Sequence, residues 1–257
     1  MRFRIAGKVI GGLVLIGIAG TVGVITYVNH SRPAELGLAS VTPRATASAT
    51  PDDPLTLACR RPSLPAHDAS SGVPGLWVVQ PGSVAGYRAH EKFAEITSPH
   101  EAVARTESVR GWLLVGESGG SLQIETGCVA VDVRTLRSVD ELPGFNTSDR
   151  DSISRDFLNA SRHPYVIFQP YPGPLAASAA TQDVQHVTLA GDLEIGGVTR
   201  PERFALDVRL QQGQVAAAGR ATVQAGDFAI EVPQEADGFV RVDPQITLEV
   251  SLVLLKA

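Results

Sequence analysis

The chain reads as mainly β: an antiparallel barrel of about eight strands with one short helix, preceded by a single transmembrane helix and a linker. Three observations lead there. From residue 76 onward apolar and polar residues alternate with a period of two, giving each strand one buried face. Glycine-rich turns at 116–120, 196–197 and 212–213 separate the alternating runs, as antiparallel hairpins require. Residues 9–28 form an uncharged run of about twenty residues, long enough to cross a bilayer.

Taken in order, residues 1–8 carry Arg2, Arg4 and Lys8. Basic charge ahead of a span predicts a cytoplasmic N-terminus, with everything after Val28 outside. A cleaved signal peptide would have a shorter apolar part, roughly 7–15 residues, with a small-residue cleavage site close behind. Here Asn29, His30, Ser31, Arg32 and Pro33 follow the run, and a small-x-small pattern comes only at Ala45, Thr46 and Ala47. The expectation is an uncleaved single-pass anchor in the cytoplasmic membrane. Residues 29–75 are rich in Pro, Ser, Thr, Ala and Asp, and Pro43, Pro51, Pro54, Pro62, Pro65 and Pro74 interrupt any periodicity. That composition predicts an extended or disordered linker holding the folded part off the membrane.

Residues 76–257 form the folded domain. Val187, Leu189, Leu193 and Ile195 alternate with His186, Thr188, Asp192 and Glu194. Phe204, Leu206, Val208 and Leu210 repeat the pattern against Ala205, Asp207 and Arg209, and Ile246, Leu248, Val250, Leu252 and Leu254 do so again. A sheet of about eight such strands removes its edges by closing on itself. The lumen of such a barrel is either filled by side chains or holds one elongated ligand, and spacing does not decide between them.

The segment 147–168 breaks the strand pattern. Ser148 and Asp151 have capping-box spacing, and Ile153 and Phe157, four apart, share a face that Leu158 and Ala160 widen. Asn159 is a stop signal, and Pro164 prevents continuation. Tyr165, Val166, Ile167 and Phe168 then read as strand. One helix in an otherwise strand-like chain suggests a lid or plug on a barrel.

Arg150-Asp151, Asp156-Phe157, and His163-Pro164 followed by Phe168 form a segment that resembles the YceI-like family of lipocalin-like, polyisoprenoid-binding proteins. The resemblance extends in order along the domain. Ser83-Val84-Ala85-Gly86-Tyr87-Arg88 looks like the family's first strand. The run from Gly191 to Pro201, with its Gly197-Val198-Thr199-Arg200-Pro201 turn, looks like the central hairpin. Gly226 to Ile230 and Gln245 to Leu255 resemble later strands. The chain departs from the family in its long linker and in the run Tyr87-Arg88-Ala89-His90-Glu91, where the usual basic-histidine pairing is blurred.

The resemblance implies a barrel around an isoprenoid chain. Such a ligand needs a long apolar lumen, since burial contributes about 0.8 kcal/mol per methylene-sized group before ordering costs. The lumen candidates are Tyr87, Trp112, Phe157, Phe168, Phe204, Leu206, Phe228, Ile230, Leu248 and Val250. Aromatic and aliphatic residues on an inner face serve equally as plain core. Arg88, Arg150 and Arg200 are candidates for a polar head group, with Asp156 or the helix start as competing partners for Arg150.

Other functions find little in the sequence. A net charge of −5 and a pI near 5.7 argue against nucleic acid, and 5% aromatic residues argue against stacking platforms. Gly116-Glu117-Ser118-Gly119-Gly120 fits G-x-S-x-G, but a nucleophile elbow needs a following helix, and 121–133 reads as strand. The histidines His30, His67, His90, His100, His163 and His186 never fall at metal-ligand spacing, and no cofactor is implied. Asp149, Asp151 and Asp156 crowd one helix and read as cap and surface groups rather than as a catalytic pair.

Cys59 and Cys128 allow one disulfide outside the cytoplasm. The difficulty is parity: Cys128 follows Leu122, Ile124 and Thr126, so it faces the lumen unless a bulge at Gly127 shifts the pattern toward Val129, Val131 and Val133. The functional expectation is non-catalytic binding, sequestration or carriage of an isoprenoid-type lipid, a quinone or polyprenyl chain, outside the cytoplasmic membrane. The alternatives are an accessory presenting a bound quinone to a partner, and a filled-core stress-response interaction module of the cell envelope.

Overall fold

The computed structural model describes residues 32–38, 53–61, 72–93, 100–141, 146–177, 183–211, 213–233 and 240–257. The expected anchor at 9–28 lies outside the described residues, and none of the described helices is long and apolar enough to cross a membrane.

The elements are a one-turn helix α1 (Pro54–Ala58), strands β1 (Gly75–Val79), β2 (Val84–Phe93), β3 (His100–Thr106), β4 (Val109–Ser118), β5 (Ser121–Asp132) and β6 (Arg137–Ser138), helix α2 (Thr147–Phe157), and strands β7 (Tyr165–Pro170), β8 (Gly173–Pro174), β9 (Gln185–Ile195), β10 (Val198–Gln211), β11 (Gln214–Gln224) and β12 (Val240–Lys256). The ladder β1-β4-β5-β7-β9-β10-β11-β12 returns to β1 and closes eight antiparallel strands into a barrel. β12 is 17 residues long and spans the whole wall: Leu254, Leu255 and Lys256 pair with β1, and Val240 to Ser251 pair with β2. β1 and β2 are therefore two halves of one bent strand. β3 and β4 are likewise two halves of the next, and β6 continues β5 alongside β3.

Local chemistry fixes the turns. Gly119 and Gly120 (φ 61° and 79°) join β4 to β5, and Gly196 and Gly197 (φ 59° and 85°) join β9 to β10. Successive positive φ values are the two-residue hairpin turn that matches strand twist. Gly197 has a second constraint, because an added Cβ would lie 2.5 Å from the His163 ring. The histidine after α2 thus packs against the hairpin turn.

Helix α2 begins two residues earlier than its sequence signal suggested. Asn146 is the N-cap, accepting from Ser148 N at 3.1 Å. Asp151, expected in a capping box, instead accepts from Ser138 N and Oγ at 2.8 and 2.6 Å, pinning the helix to β6. Asn159 (φ 51°) ends the helix, and Ala160 N donates back to Arg155 O at 3.0 Å.

The outer wall carries two pieces of the 29–75 stretch. Residues 32–38 lie across β2 and β12, with Ser251 Oγ donating to Gly37 O at 2.8 Å. α1 lays Leu55 and Cys59 on an outward cluster of Trp112, Leu114, Cys128 and Ala130. The Cys59–Cys128 disulfide, with Cα atoms 5.6 Å apart, fastens it there. The parity shift that lets Cys128 face outward lies just before Gly127. Leu114 pairs with Thr126 but Val115 pairs with Ile124, so Glu125 is the extra residue.

Candidate functional site

Alternation aims one face of every long strand at the lumen, which holds two cavities. The larger, of about 380 Å³, lies beneath α2; the smaller, of about 150 Å³, lies toward the β1 end of the barrel. They occupy successive inward positions of the same strand: Ile246 and Leu248 line the larger, and Val250, Leu252 and Leu254 line the smaller. The larger volume falls in the range of small-molecule sites.

Nine of the lumen candidates meet these cavities. Tyr87, Phe157, Phe228, Ile230 and Leu248 line the larger one. Phe168, Phe204, Leu206 and Val250 line the smaller one. Phe168 and Phe204 meet edge to face with ring centres 5.0 Å apart. Phe168 also packs against the Leu193, Ile195, Val223 and Phe228 cluster, which lies on the larger-cavity side. Phe157 is 39% exposed and Ile153 is 52% exposed, so α2 puts apolar tips at the rim.

Trp112 requires correction. It is buried on the outside of the wall, where its Nε1 donates to Cys59 O at 2.9 Å. β4 is apolar on both faces, because α1 covers its outer side, so alternation there carries no direction.

The head-group candidates also separate. Arg88 points outward: Nε donates to Glu249 at 2.8 Å, Nη1 to Glu101 at 2.9 Å, and Nη2 to the carbonyls of Pro33 and Ala34 at 2.9 and 2.7 Å. Arg200 is exposed and donates to the Thr199 carbonyl, away from either cavity. Only Arg150 reaches the larger cavity. Its partner is neither Asp156 nor the helix start. Nη2 donates to Asp140 Oδ1 at 2.6 Å and Nε to Ser138 Oγ at 3.2 Å, while Nη1 stands 3.6 Å from Glu91.

These groups shape a polar corner on an otherwise apolar wall. Tyr87 donates to Ser154 Oγ at 2.8 Å, and burial raises its phenol pKa. Burial likewise raises the Glu91 carboxyl, against the pull of Arg150. Burial acts the same way on Asp140, but hydrogen bonds from His100, Arg150 and the Val103 amide outweigh it and hold that carboxyl below its ordinary 3.8. Glu91 was not singled out in the sequence, where a charge beside His90 and Lys92 reads as surface. Its parity was the available signal, since it shares the inner face with Tyr87 and Phe93.

Ser118 of the G-x-S-x-G segment ends β4 and leads through the Gly119–Gly120 turn into β5, which is strand–turn–strand geometry. Among the described residues no group of three or more His, Cys, Asp or Glu side chains is placed to hold a metal ion.

A family profile for the YceI-like domain matches residues 89–254. The chain belongs to the YceI-like family. No curated protein sequence matches it significantly. Among solved structures, the fold is similar to a polyisoprenoid binding domain from Saccharophagus degradans implicated in plant cell wall breakdown. That likeness has a TM-score of 0.50 and 13% identity, over 70% of this chain and 98% of the other. BcnA of Burkholderia cenocepacia matches with a TM-score of 0.48 and 12% identity over 67% of this chain and 96% of its own. The Campylobacter jejuni YceI protein matches at 0.35 and 12% over 63% and 83%. Family membership and an antiparallel barrel with two cavities along its lumen support apolar lipid binding by this YceI-like chain.

Proposed function

We propose that this protein binds one isoprenoid-type lipid, a quinone or polyprenyl chain, and sequesters or carries it without chemistry at the outer side of the cytoplasmic membrane. The observation that carries this reading is the apolar cavity of about 380 Å³ beneath α2, continued along β12 by the second cavity. The polyisoprenoid binding of the Saccharophagus degradans domain supports the same ligand class. The apolar rim residues Ile153 and Phe157 supply an entry edge, and the expected anchor at 9–28 would keep that edge within reach of the bilayer.

The test is extraction. The full chain is purified from its own membranes, and bound lipid is identified by mass spectrometry. The expected result is an isoprenoid lipid at about one per copy. Repeated absence of lipid, with a crystal structure showing side chains filling the lumen, overturns the reading. Protease added to spheroplasts checks the location: the folded domain should be digested, and sequencing of the membrane-bound protein should begin at or next to Met1. A soluble mature form starting near Ser48 would replace the anchor with a cleaved signal peptide.

A further inference from the structure

The lumen has a polar mouth and an apolar floor. Asn146, Thr147 and Asp149, at the start of α2, line the larger cavity together with Ser154. At the other end stands Trp77, which lines the smaller cavity and is 3% exposed. Trp77 pairs with Lys256, the last residue of β12, so it sits at the end of the barrel away from α2. Its Nε1 donates to Val73 O at 2.8 Å, and Leu122, Leu252 and Leu254 share its buried cluster. The indole is therefore held in place.

The two ends accept different parts of a lipid. Among the described residues lining the smaller cavity none is charged, and Gln185 supplies the one amide. A polar head drawn down to Trp77 would lose its water without adequate replacement. The head belongs at the mouth, and the tail points to the floor. Along the way the lining passes from one cavity to the other between Leu248 and Val250. Phe168 stands at that junction, edge to face with Phe204. Its ring lies against β9 at Gly191, where an added Cβ would come within 2.8 Å of Cζ.

Volume then gives a length. An apolar protein cavity of about 150 Å³ takes one benzene, roughly six carbons. On that scale the smaller cavity, of about 150 Å³, holds roughly one five-carbon isoprene unit, and the larger, of about 380 Å³, roughly three. We propose that the lumen is a ruler for a tail of about four isoprene units, whose last unit passes Phe168 and ends against Trp77 in the smaller cavity. This rests on the lipid-binding reading above and adds the tail length and the residues that set it.

The experiment maps where tails end. Detergent-solubilised full chain, stripped of lipid, is loaded with prenyl alcohols of two or four isoprene units that carry a diazirine at the tail end. After irradiation, labelled residues are identified by mass spectrometry. The four-unit tail should label Trp77 or Leu254 at about ten times the share of lumen label given by the two-unit tail, which should mark Phe228 or Leu248. Ala217 is 6% exposed and lines the smaller cavity, so Ala217→Leu fills about half of it. That variant should lose about tenfold of the four-unit label at Trp77 and Leu254 and keep the label around Phe228. Equal labelling of Trp77 by both tails, confinement of the four-unit label beneath α2, or an unchanged pattern in folded Ala217→Leu overturns the ruler and leaves lipid binding standing. Absence of lumen label from either tail overturns both. The comparison of two lengths on the wild-type chain decides the matter even where Ala217→Leu fails to fold.

Discussion

Arg88 donates through Nε to Glu249 Oε2 at 2.8 Å on the outside of the barrel wall, beneath residues 33–37. The same carboxylate accepts from Arg105 Nε at 2.7 Å and from Leu36 N at 3.3 Å. Arg105 also bonds the carbonyl of Ala34. One carboxylate thus joins β2, β3 and β12 to a segment more than two hundred residues away in sequence. Glu249→Ala would leave two guanidinium groups facing each other without it. Removing one partner of a buried charge network costs about 3 kcal/mol or more. A lowered midpoint in urea, with an unchanged slope, is the expected result.

The same group sets an acid limit. Burial raises the Glu249 carboxyl, but Arg105 and Arg88 outweigh it and bring it below its ordinary 4.5. A carboxyl depressed in the folded state contributes stability that is complete above the unfolded value and is lost as pH falls through the folded one. Asp140 behaves likewise below 3.8. Stability should therefore fall as pH drops below about 4.5, and Glu249→Gln should flatten part of that fall.

How much of this was legible depends on whether a strand's two faces differ. β9, β10 and β12 have one wet face, and their alternation points Phe204, Leu206, Leu248 and Val250 the way they lie in the structure, along the two cavities. The helix was legible from its spacing and its asparagine stop, and the hairpins from paired glycines. β4 failed because both faces are apolar, and the cover on its outer face comes from α1, inside a proline-rich stretch with no strand period. Arg88 failed because its partners Glu249, Pro33 and Ala34 are remote in sequence. Glu91 was hidden by its charge, although its parity marked it as inward.

The disulfide should dominate the attachment of α1. Its half-cystines are 69 residues apart, and closing a loop of that length is worth about 4 kcal/mol in the chain-entropy account. Protein taken from the cell envelope should show no free thiol before reduction and two after it. Replacing both cysteines with alanine should lower stability by about that amount and expose Trp112, visible as a red shift in its emission. Two free thiols in unreduced protein would count against the bridge.

Glu91 predicts the opposite pH trend from Glu249. Burial raises its carboxyl above the ordinary 4.5 in the folded state. An acid raised on folding favours the protonated form, so stability is lost as pH rises from the unfolded value through the folded one. Glu91→Gln cannot ionise and escapes that loss. The variant should match the parent near pH 4 and melt at a higher temperature near pH 8. A variant less stable than the parent at pH 8 would mean that the Arg150 contact outweighs the cost of burying the charge.

Neighbouring residues on β10 should respond in opposite ways. Leu206 is 8% exposed and lines the smaller cavity with Phe204 and Val250. Asp207 points to the other face, where its side chain is 52% exposed beside His186. Leu206→Asp would bury a carboxylate among apolar side chains with no cation within the cavity lining, at a cost of several kcal/mol. It should abolish folding or lipid retention. Asp207→Ala removes only an exposed ion pair, worth at most about 1 kcal/mol, and should leave both intact. Thermal melts and lipid extraction on the two variants read out the pair. Normal lipid retention by a folded Leu206→Asp chain would mean that the smaller cavity takes no part in holding the ligand's tail, which would then have to fit beneath α2 alone.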